Sequence, residues 1–306
     1  MKKLRSDIYL KAKKAIKEYG RPLEQSLLQL YFEDGDEKSV VKTLKQYQNA
    51  DGGFGNALEP DFRLPESSAA ATNIALRQLT ALSETGDVLP IIEKAVRYLE
   101  STYDPKRNGW YNVPIEVNDY PHASWWQVDP DTSMSGLDSH WGNPNAELVG
   151  YLHKYREFLD TINADNLVQY ALDHLYNLSS YGDHEVYSYI QLYQFLDHSQ
   201  KEKVEDILIL AVNDIVSLNI NEWEQYVPTP LDIVKSPSDP KFGLYDPAIE
   251  DNLDYLIDKL TQYGLIGPTW SWSNYEDTWK QARNEWIGIQ TLKILHILDN
   301  FNRIER

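Results

Sequence analysis

Apolar residues recur at helical spacing along almost the whole chain, and the alternation typical of β-strands is scarce. The pattern predicts eleven helices and a weaker twelfth in Pro230 to Lys235. The eleven ranges are 5–18, 22–33, 37–49, 67–84, 88–103, 144–160, 163–178, 184–197, 200–217, 248–262 and 283–300. The sequence therefore predicts an all-α protein.

Local signals support several of the predicted helix starts. Asn143-Pro144 offers an N-cap residue followed by proline at the first helical position. Ser199 to Glu202 has the spacing of a capping box. Either Ser67 or Ser68 can cap the helix that follows them.

The predicted helices are of two kinds that alternate along the chain. Helix 67–84 opens with small, nearly uncharged residues and suits a crowded interior. Helix 88–103 carries four charged residues and suits an outer layer with one wet face. The alternation predicts an (α/α)6 toroid formed by residues 1–306 as a single domain. Its inner helices would be 22–33, 67–84, 144–160, 184–197, the weak helix and 283–300.

The predicted connections differ in length according to their direction. Inner-to-outer links are short at Thr85–Asp87, Thr161–Ile162 and His198, whereas Ser236–Pro247 is a long exception. Long outer-to-inner links cover Ala50–Glu66, Tyr103–Gly142, Leu218–Thr229 and Tyr263–Ala282. In such a ring all outer-to-inner links emerge at one end, and long loops on a scaffold are where sites are usually built. We therefore expect a pocket at the N-terminal ends of the inner helices.

A short motif recurs where outer helices end. The first copy is Gln48-Asn49-Ala50-Asp51-Gly52-Gly53-Phe54, the second is Gly109-Trp110 after Lys94–Leu99, and Gly267–Trp270 is a degenerate third. Glycine permits a left-handed turn, and the aromatic side chain can pack back on the helix pair. The motif resembles the repeat of terpenoid cyclases and protein prenyltransferases, and Asn49–Ala71 also looks like bacterial toroid proteins. The resemblance implies that each copy closes an outer helix and leads into the next inner one.

The active-site residues of that superfamily carry over poorly. Protein prenyltransferases hold zinc with Asp, Cys and His, and this chain has no cysteine. Cyclases that protonate an alkene use an Asp-x-Asp-Asp motif. The nearest match is Asp129-Pro130-Asp131-Thr132, which lacks the last acid, and the resemblance would make Asp131 the proton donor.

Composition and charge narrow the classes of partner. The formal charge is 29 − 47 = −18, so nucleic acid and anionic lipid surfaces would be repelled. The longest purely apolar run, Ile207 to Val212, is too short to span a bilayer, and the lysine-rich start is no secretory signal. We expect a cytoplasmic protein that acts on a small-molecule substrate. The sequence does not indicate its oligomeric state. We expect neither a metal nor another cofactor, because no zinc-helix spacing or phosphate-binding loop occurs.

Acids and indoles are concentrated in the predicted loops. Carboxylates that face one another can split their pKa values into one acid and one base, and tryptophan faces suit sugar rings. The candidate catalytic residues are Glu59, Asp61, His122, Asp129 and Asp131. The candidate substrate-binding residues are Asp51, Trp125, Trp126, Trp141, Asn143, Asn145, Trp270 and Trp272. His174, His184 and His198 lie near helix ends and are predicted to be on the surface.

Three functions are compatible with these patterns. The first is an acid–base enzyme, a hydrolase or lyase, acting on a carbohydrate-like substrate. The second is a terpenoid-cyclase-like enzyme, which requires Asp131 at the floor of a deep aromatic cavity. The third is a binding protein for a peptide or metabolite. Structural roles compete with all three, since Asp51 can shape a turn and Trp125-Trp126 can pin a loop.

Overall fold

A computed structural model describes residues 1–84 and 86–305. Within these ranges the chain is about 60% helical and has isolated bridges in place of β-strands, which confirms the all-α prediction. The helices are α1 (Ser6–Tyr19), α2 (Pro22–Phe32), α3 (Glu37–Leu44), α4 (Ala69–Thr80), α5 (Leu89–Ser101), α6 (Gly142–Lys154), α7 (Ala164–Tyr176), α8 (Asp183–Phe195), α9 (His198–Ile215), α10 (Pro230–Ile233), α11 (Asp246–Tyr263) and α12 (Glu276–Asn300).

Each predicted range overlaps one of these helices, including the weak one, which is α10. Helix α12 begins at Glu276, so the loop predicted to run to Ala282 is shorter than expected. His198 is the first residue of α9 and not a link. The predicted link at 85–87 lies in part outside the described residues.

The predicted helix caps are right at one end and wrong at another. The Ser68 hydroxyl accepts a hydrogen bond of 3.1 Å from the Ala71 N–H and caps α4 as predicted. The capping box expected at Ser199–Glu202 is wrong by two residues. Asp197 and Gln200 exchange side-chain to backbone bonds of 2.8 and 3.0 Å in its place. Aspartate is an equally good N-cap residue, and its use starts α9 earlier.

The chain divides into two compact units. Unit 1 comprises Met1–Thr43, Val212–Trp272 and the segment from Glu276 onward, and unit 2 comprises Leu44–Ala211 with Ser273–Tyr275. In unit 1, α1 packs against α2, α11 and α12. The buried guanidinium group of Arg303 donates hydrogen bonds to two carboxylates of α11, to that of Glu250 at 2.8 Å and to that of Asp254. Among the described residues, none of the helices has both the length and the apolar character needed to cross a bilayer.

Three helices of unit 2 run parallel and begin at the same edge. Residues at similar positions along neighbouring helices contact each other. Asn73 of α4 donates a hydrogen bond to Glu147 of α6, and the first residue of α6 donates one to Glu185 near the start of α8. A Cβ atom on Gly150 of α6 would lie 3.2 Å from the Cα atom of Leu192, so glycine permits close packing on α8. Helices α5 and α7 pack against α4 and α6 respectively.

A fully buried carboxylate joins α4 to α6. Glu147 accepts hydrogen bonds from Asn73 at 2.9 Å, Arg77 Nε at 2.8 Å and the Tyr151 hydroxyl at 2.5 Å. Burial opposes ionisation, but the Arg77 charge and these hydrogen bonds outweigh it and lower the pKa of Glu147. The ionised network therefore fixes the register of the two helices.

We expect Arg77→Met to lower the free energy of unfolding by about 3 kcal/mol, because it leaves the Glu147 charge buried with fewer donors. Urea unfolding at neutral pH measures this. Arg97→Met is the matched control, since its partners are exposed and the midpoint should hardly move. The folded-state pKa of Glu147 is lowered, so its stabilisation should be complete above the ordinary value of 4.5 and decline below it. An equal loss in both variants would contradict the expectation.

Candidate functional site

The first two copies of the glycine–aromatic motif dock the incoming loop on the first turn of the helix that follows it, α4 in one case and α6 in the other. The Phe54 N–H donates to the Thr72 hydroxyl at 3.0 Å in the first copy. In the second, the Trp110 N–H donates to Asn145 Oδ1 at 2.7 Å. Gly52 has φ +93°, and a Cβ atom there would lie 2.4 Å from the Lys94 carbonyl oxygen of α5. The motif thus needs glycine for both the turn and the close approach.

The third copy docks by the same kind of contact at a different residue. The Thr291 hydroxyl of α12 accepts from the Ile266 N–H at 2.9 Å and donates to the Ile266 carbonyl at 3.2 Å. The docking residue is therefore Ile266 and not Trp270. Trp270 packs edge-on against Tyr226 and Trp286, with ring centroids 5.6 and 5.0 Å apart.

Asn145 is the most heavily used of these docking residues. Beyond the bond to the Trp110 N–H, its Nδ2 donates to the carbonyls of Trp110 at 3.2 Å and Trp141 at 2.7 Å. The side chain is completely buried. Predicted as a ligand-binding amide, it has its hydrogen-bonding groups engaged with the loop in this structure.

We expect Asn145→Ala to lower the free energy of unfolding by about 3 kcal/mol or more, because it removes the acceptor of the buried Trp110 N–H and the side-chain donor to the Trp141 carbonyl. Thermal and chemical unfolding measure the loss. Asn166→Ala, on the exposed face of α7, is the matched control and should leave the midpoint nearly unchanged. Comparable midpoints for the two variants would show that the loop docks by other contacts.

Three of the predicted catalytic residues lie where two loops of unit 2 pair through backbone hydrogen bonds, an arrangement that we call the loop ladder. The Asp61 carbonyl accepts from the Ala123 N–H at 2.8 Å, next to the bridge between Phe62 and His122. The Asp61 N–H donates to Glu59 Oε1 at 3.0 Å. Glu59, Asp61 and His122 are all buried. The structure thus brings these three residues together, but they are buried within the loops that precede α4 and α6, which we call the loop layer.

Both ring nitrogens of His122 are engaged. Nδ1 lies 2.6 Å from the Tyr120 carbonyl oxygen and therefore donates to it, and Nε2 lies 2.9 Å from Gln127 Oε1. The Tyr275 ring is 5.8 Å from the imidazole. His122 joins neighbouring parts of the loop layer in this arrangement.

Asp129 and Asp131 form an exposed turn. Asp129 Oδ1 accepts from the N–H groups of Asp131 at 2.7 Å and Thr132 at 3.3 Å. Asp131 is exposed to solvent. A cyclase proton donor would need an aromatic cavity around it, and the exposed Asp131 does not meet that requirement.

The predicted sugar-stacking tryptophans are mostly buried. Trp126 packs edge-on against Phe62 at 4.9 Å, and Trp272 packs against Trp279 at 5.8 Å. Trp141 is 8% exposed. Of the five predicted indoles, Trp125 and Trp270 keep intermediate exposure and hence some free surface.

Asp51 and Asn143 also have structural contacts. Asp51 Oδ1 accepts from the Gly53 N–H at 3.0 Å and the Ser67 hydroxyl at 2.8 Å, so it shapes the motif turn. Asn143 has non-helical backbone angles just before the regular part of α6. Its carbonyl accepts from Asn112 Nδ2 at 3.0 Å. The loop layer is thereby tied to the start of α6.

A second cluster, which the sequence did not predict, lies where α6 and α8 begin. Glu185 is 1% exposed, and its Oε1 accepts from the Gly142 N–H at 2.7 Å. Its Oε2 is buried without a hydrogen-bond partner among the described residues and lies 3.5 Å from His140 Nδ1. A Cβ atom on Gly142 would lie 2.7 Å from both Glu185 Cγ and Tyr189 Cε2. Glycine therefore admits the carboxylate to this position.

His174 completes the cluster from α7. Its Nδ1 lies 4.0 Å from Glu185 Oε1 and 2.8 Å from the Tyr189 hydroxyl, and its ring packs against Trp141 at 4.9 Å. Burial lowers the pKa of His174, opposed by the Glu185 charge, and burial raises the pKa of Tyr189 well above its ordinary value. The surface prediction is wrong for His174, whose side chain is 25% exposed, whereas His184 and His198 are exposed as predicted.

No strong sequence signal identifies this cluster. Glu185 is one of 47 acidic residues, and the three elements that carry Glu185, His140 and His174 are joined only by helix packing. The one usable signal was the position of His140, in a long loop directly before an inner helix.

We expect His174 to titrate below the ordinary histidine value of 6.5, because burial disfavours its charged form. Glu185→Gln should lower its pKa further, since the variant removes the negative charge that opposes the shift. NMR titration of the imidazole resonances in wild type and variant measures both. A higher His174 pKa in Glu185→Gln would contradict the arrangement.

Other features of the described residues do not point to a different site. These residues contain no group of three or more His, Asp or Glu side chains that could hold a metal ion. A cavity of about 280 Å³ in unit 1 is lined by Val234, Ile249 and Phe301 among others, and none of the predicted site residues borders it.

Comparison with known proteins adds no family assignment. The chain matches no protein-family model, and no curated protein or solved structure is significantly similar to it.

Proposed function

We propose that the chain is an acid–base enzyme acting on a small, carbohydrate-like substrate at the N-terminal ends of α6 and α8. The observation that carries this proposal is the pair formed by Glu185 and His140. A buried carboxylate oxygen that has no hydrogen-bond partner among the residues that the structure describes lies 3.5 Å from an imidazole whose side chain is 51% exposed. A buried carboxylate that orients a solvent-facing histidine is a common way to prepare a general base.

Glu185 and His140 take precedence over the residues predicted from sequence. Glu59, Asp61 and His122 are buried in the loop ladder. There Glu59 accepts a hydrogen bond from the Asp61 N–H, and the His122 ring nitrogens contact Tyr120 and Gln127. A distance of 3.5 Å is longer than a hydrogen bond, and catalytic contacts of this kind often tighten when substrate binds. Of the pair formed by Glu185 and His140, His140 is the residue exposed enough to touch a ligand.

The chemistry of the cluster favours a neutral, hydroxyl-rich ligand. It combines carboxylate, imidazole and phenol groups, which donate and accept hydrogen bonds as sugar hydroxyls do. The net charge of −18 disfavours polyanionic ligands.

The parallel inner helices of unit 2 support the proposal of an α/α toroid, with the site at the edge where inner helices begin. The membership of the cyclase and prenyltransferase superfamily, the single domain and the cytoplasmic location stay predictions. So do the expected absences of a cofactor and of a nucleic-acid partner.

We expect a thermal-shift screen of sugars, isoprenoid diphosphates and peptides to select a sugar-like ligand. A ligand present at 100 times its dissociation constant stabilises the folded state by about 2.7 kcal/mol. Glu185→Gln and His140→Asn should retain binding but reduce turnover of that ligand by about 100-fold or more, because the first variant removes the carboxylate that prepares the base and the second removes the base itself. Asp131→Asn, in the exposed turn, is the matched control and should retain full turnover.

Two results would contradict the proposal. Selection of peptides with no sugar bound would favour the non-catalytic binding protein. Full turnover in Glu185→Gln, with its fold verified by circular dichroism, would move the chemistry away from this cluster.

A further inference from the structure

Two histidines flank opposite oxygens of the same carboxylate. His140 Nδ1 lies 3.5 Å from Glu185 Oε2, and His174 Nδ1 lies 4.0 Å from Glu185 Oε1. Glu185 is the one carboxylate within 4.0 Å of either imidazole in the described part of the chain. Glycoside hydrolysis usually needs two carboxylates about 5–10 Å apart, one on each side of the scissile bond. The cluster itself supplies two imidazoles and one carboxylate, a set that suits proton transfer by histidine.

The contacts favour opposite tautomers for the two histidines. A carboxylate accepts hydrogen bonds, so His140 carries its proton on Nδ1, and its Nε2 lone pair is left available as a base. In the described chain, the Tyr189 hydroxyl has His174 as its one hydrogen-bond partner, at 2.8 Å. Tyr189 stays protonated and donates to His174 Nδ1, so neutral His174 carries its proton on Nε2 and acts there as a donor.

We propose that the reaction begins with removal of a proton from a carbon next to a carbonyl group of a sugar-like substrate. His140 Nε2 is the base and His174 Nε2–H binds the carbonyl oxygen. The proposal rests on the function proposed above and narrows its acid–base chemistry to carbon-acid chemistry, which begins isomerase and lyase reactions.

The electrons balance without an oxidant or reductant. The C–H bond breaks, its proton forms an N–H bond at His140, and its electron pair forms a carbon–carbon double bond. The carbonyl π pair moves to oxygen, where the His174 N–H stabilises the negative charge. In an isomerisation, the hydroxyl on the deprotonated carbon passes its proton to the former carbonyl oxygen and becomes the new carbonyl, while His140 returns its proton to the former carbonyl carbon. In an elimination, the oxygen pair re-forms the carbonyl, the carbon–oxygen bond at the β carbon breaks, and His140 protonates the leaving alkoxide, which gives an unsaturated product.

The Glu185 charge serves the step in which His140 becomes positive. It lies beside the imidazolium as that forms and stabilises it, as the buried acid of a catalytic triad does. Tyr189 is a positioning residue, because it acts through the tautomer of His174 and does not touch the substrate.

The test is hydrogen exchange in D2O followed by NMR. Aldoses, ketoses and uronates supply a carbonyl or carboxyl group, and methyl glycosides of neutral sugars supply matched ligands without one. We expect deuterium to enter the carbon next to the carbonyl of a bound sugar, and His140→Asn to slow this about 100-fold or more. Tyr189→Phe should shift the pH dependence of exchange, whereas Tyr263→Phe, an exposed tyrosine of unit 1, should not.

Each other outcome identifies which proposal fails. Cleavage of methyl glycosides that depends on Glu185 and His140, without exchange in any carbonyl sugar, would retain the acid–base enzyme and overturn the carbon-acid step. A bound carbonyl sugar that neither exchanges nor reacts would also overturn the step. If no sugar binds to the wild-type protein, and Glu185→Gln behaves as the wild type does toward every ligand of the screen, both proposals are wrong. Circular dichroism and thermal unfolding verify that each variant is folded.

Discussion

The fold depends on how long loops without strands satisfy their backbone hydrogen bonds against buried polar side chains of the helices that follow them. Buried N–H and C=O groups need partners, and a loop layer offers few of its own. Thr72, Asn145 and Thr291 solve this in the same way, each receiving a loop N–H on a fully buried side chain. One polar residue in the helix thus fixes where each chain segment enters.

The docking interaction also sets the geometry of the proposed site. Asn145 Nδ2 donates to the Trp141 carbonyl, and Trp141 is bonded directly to His140 in the chain. Its indole Nε1 donates to the Arg107 carbonyl at 3.1 Å, so the segment is held from two sides. His140 is therefore presented to Glu185 by a rigid support, although it belongs to a long loop.

The helices could be predicted because periodicity reports which residues face a core, and Ser68 because a cap is a local contact. The motif turns could be anticipated from glycine for the same reason. The burial of Trp126 and Trp141 could not, since an indole in a loop is equally compatible with packing and with binding. Glu185 was missed because its partners come from α6 and α7, and the packing of helices is not written in the spacing of one acid.

Two buried glutamates of unit 2 differ in a way that separates structure from function. Glu147 binds Asn73, Arg77 and Tyr151, and its charge is compensated by Arg77. Over residues 1–84 and 86–305, Glu185 has one hydrogen bond, from Gly142 at the positive end of α6, and one oxygen without a hydrogen bond. Burying a carboxylate oxygen without a partner costs free energy that a structural role does not require. The cost is explained if a substrate or a tightened His140 contact supplies the missing partner during the reaction.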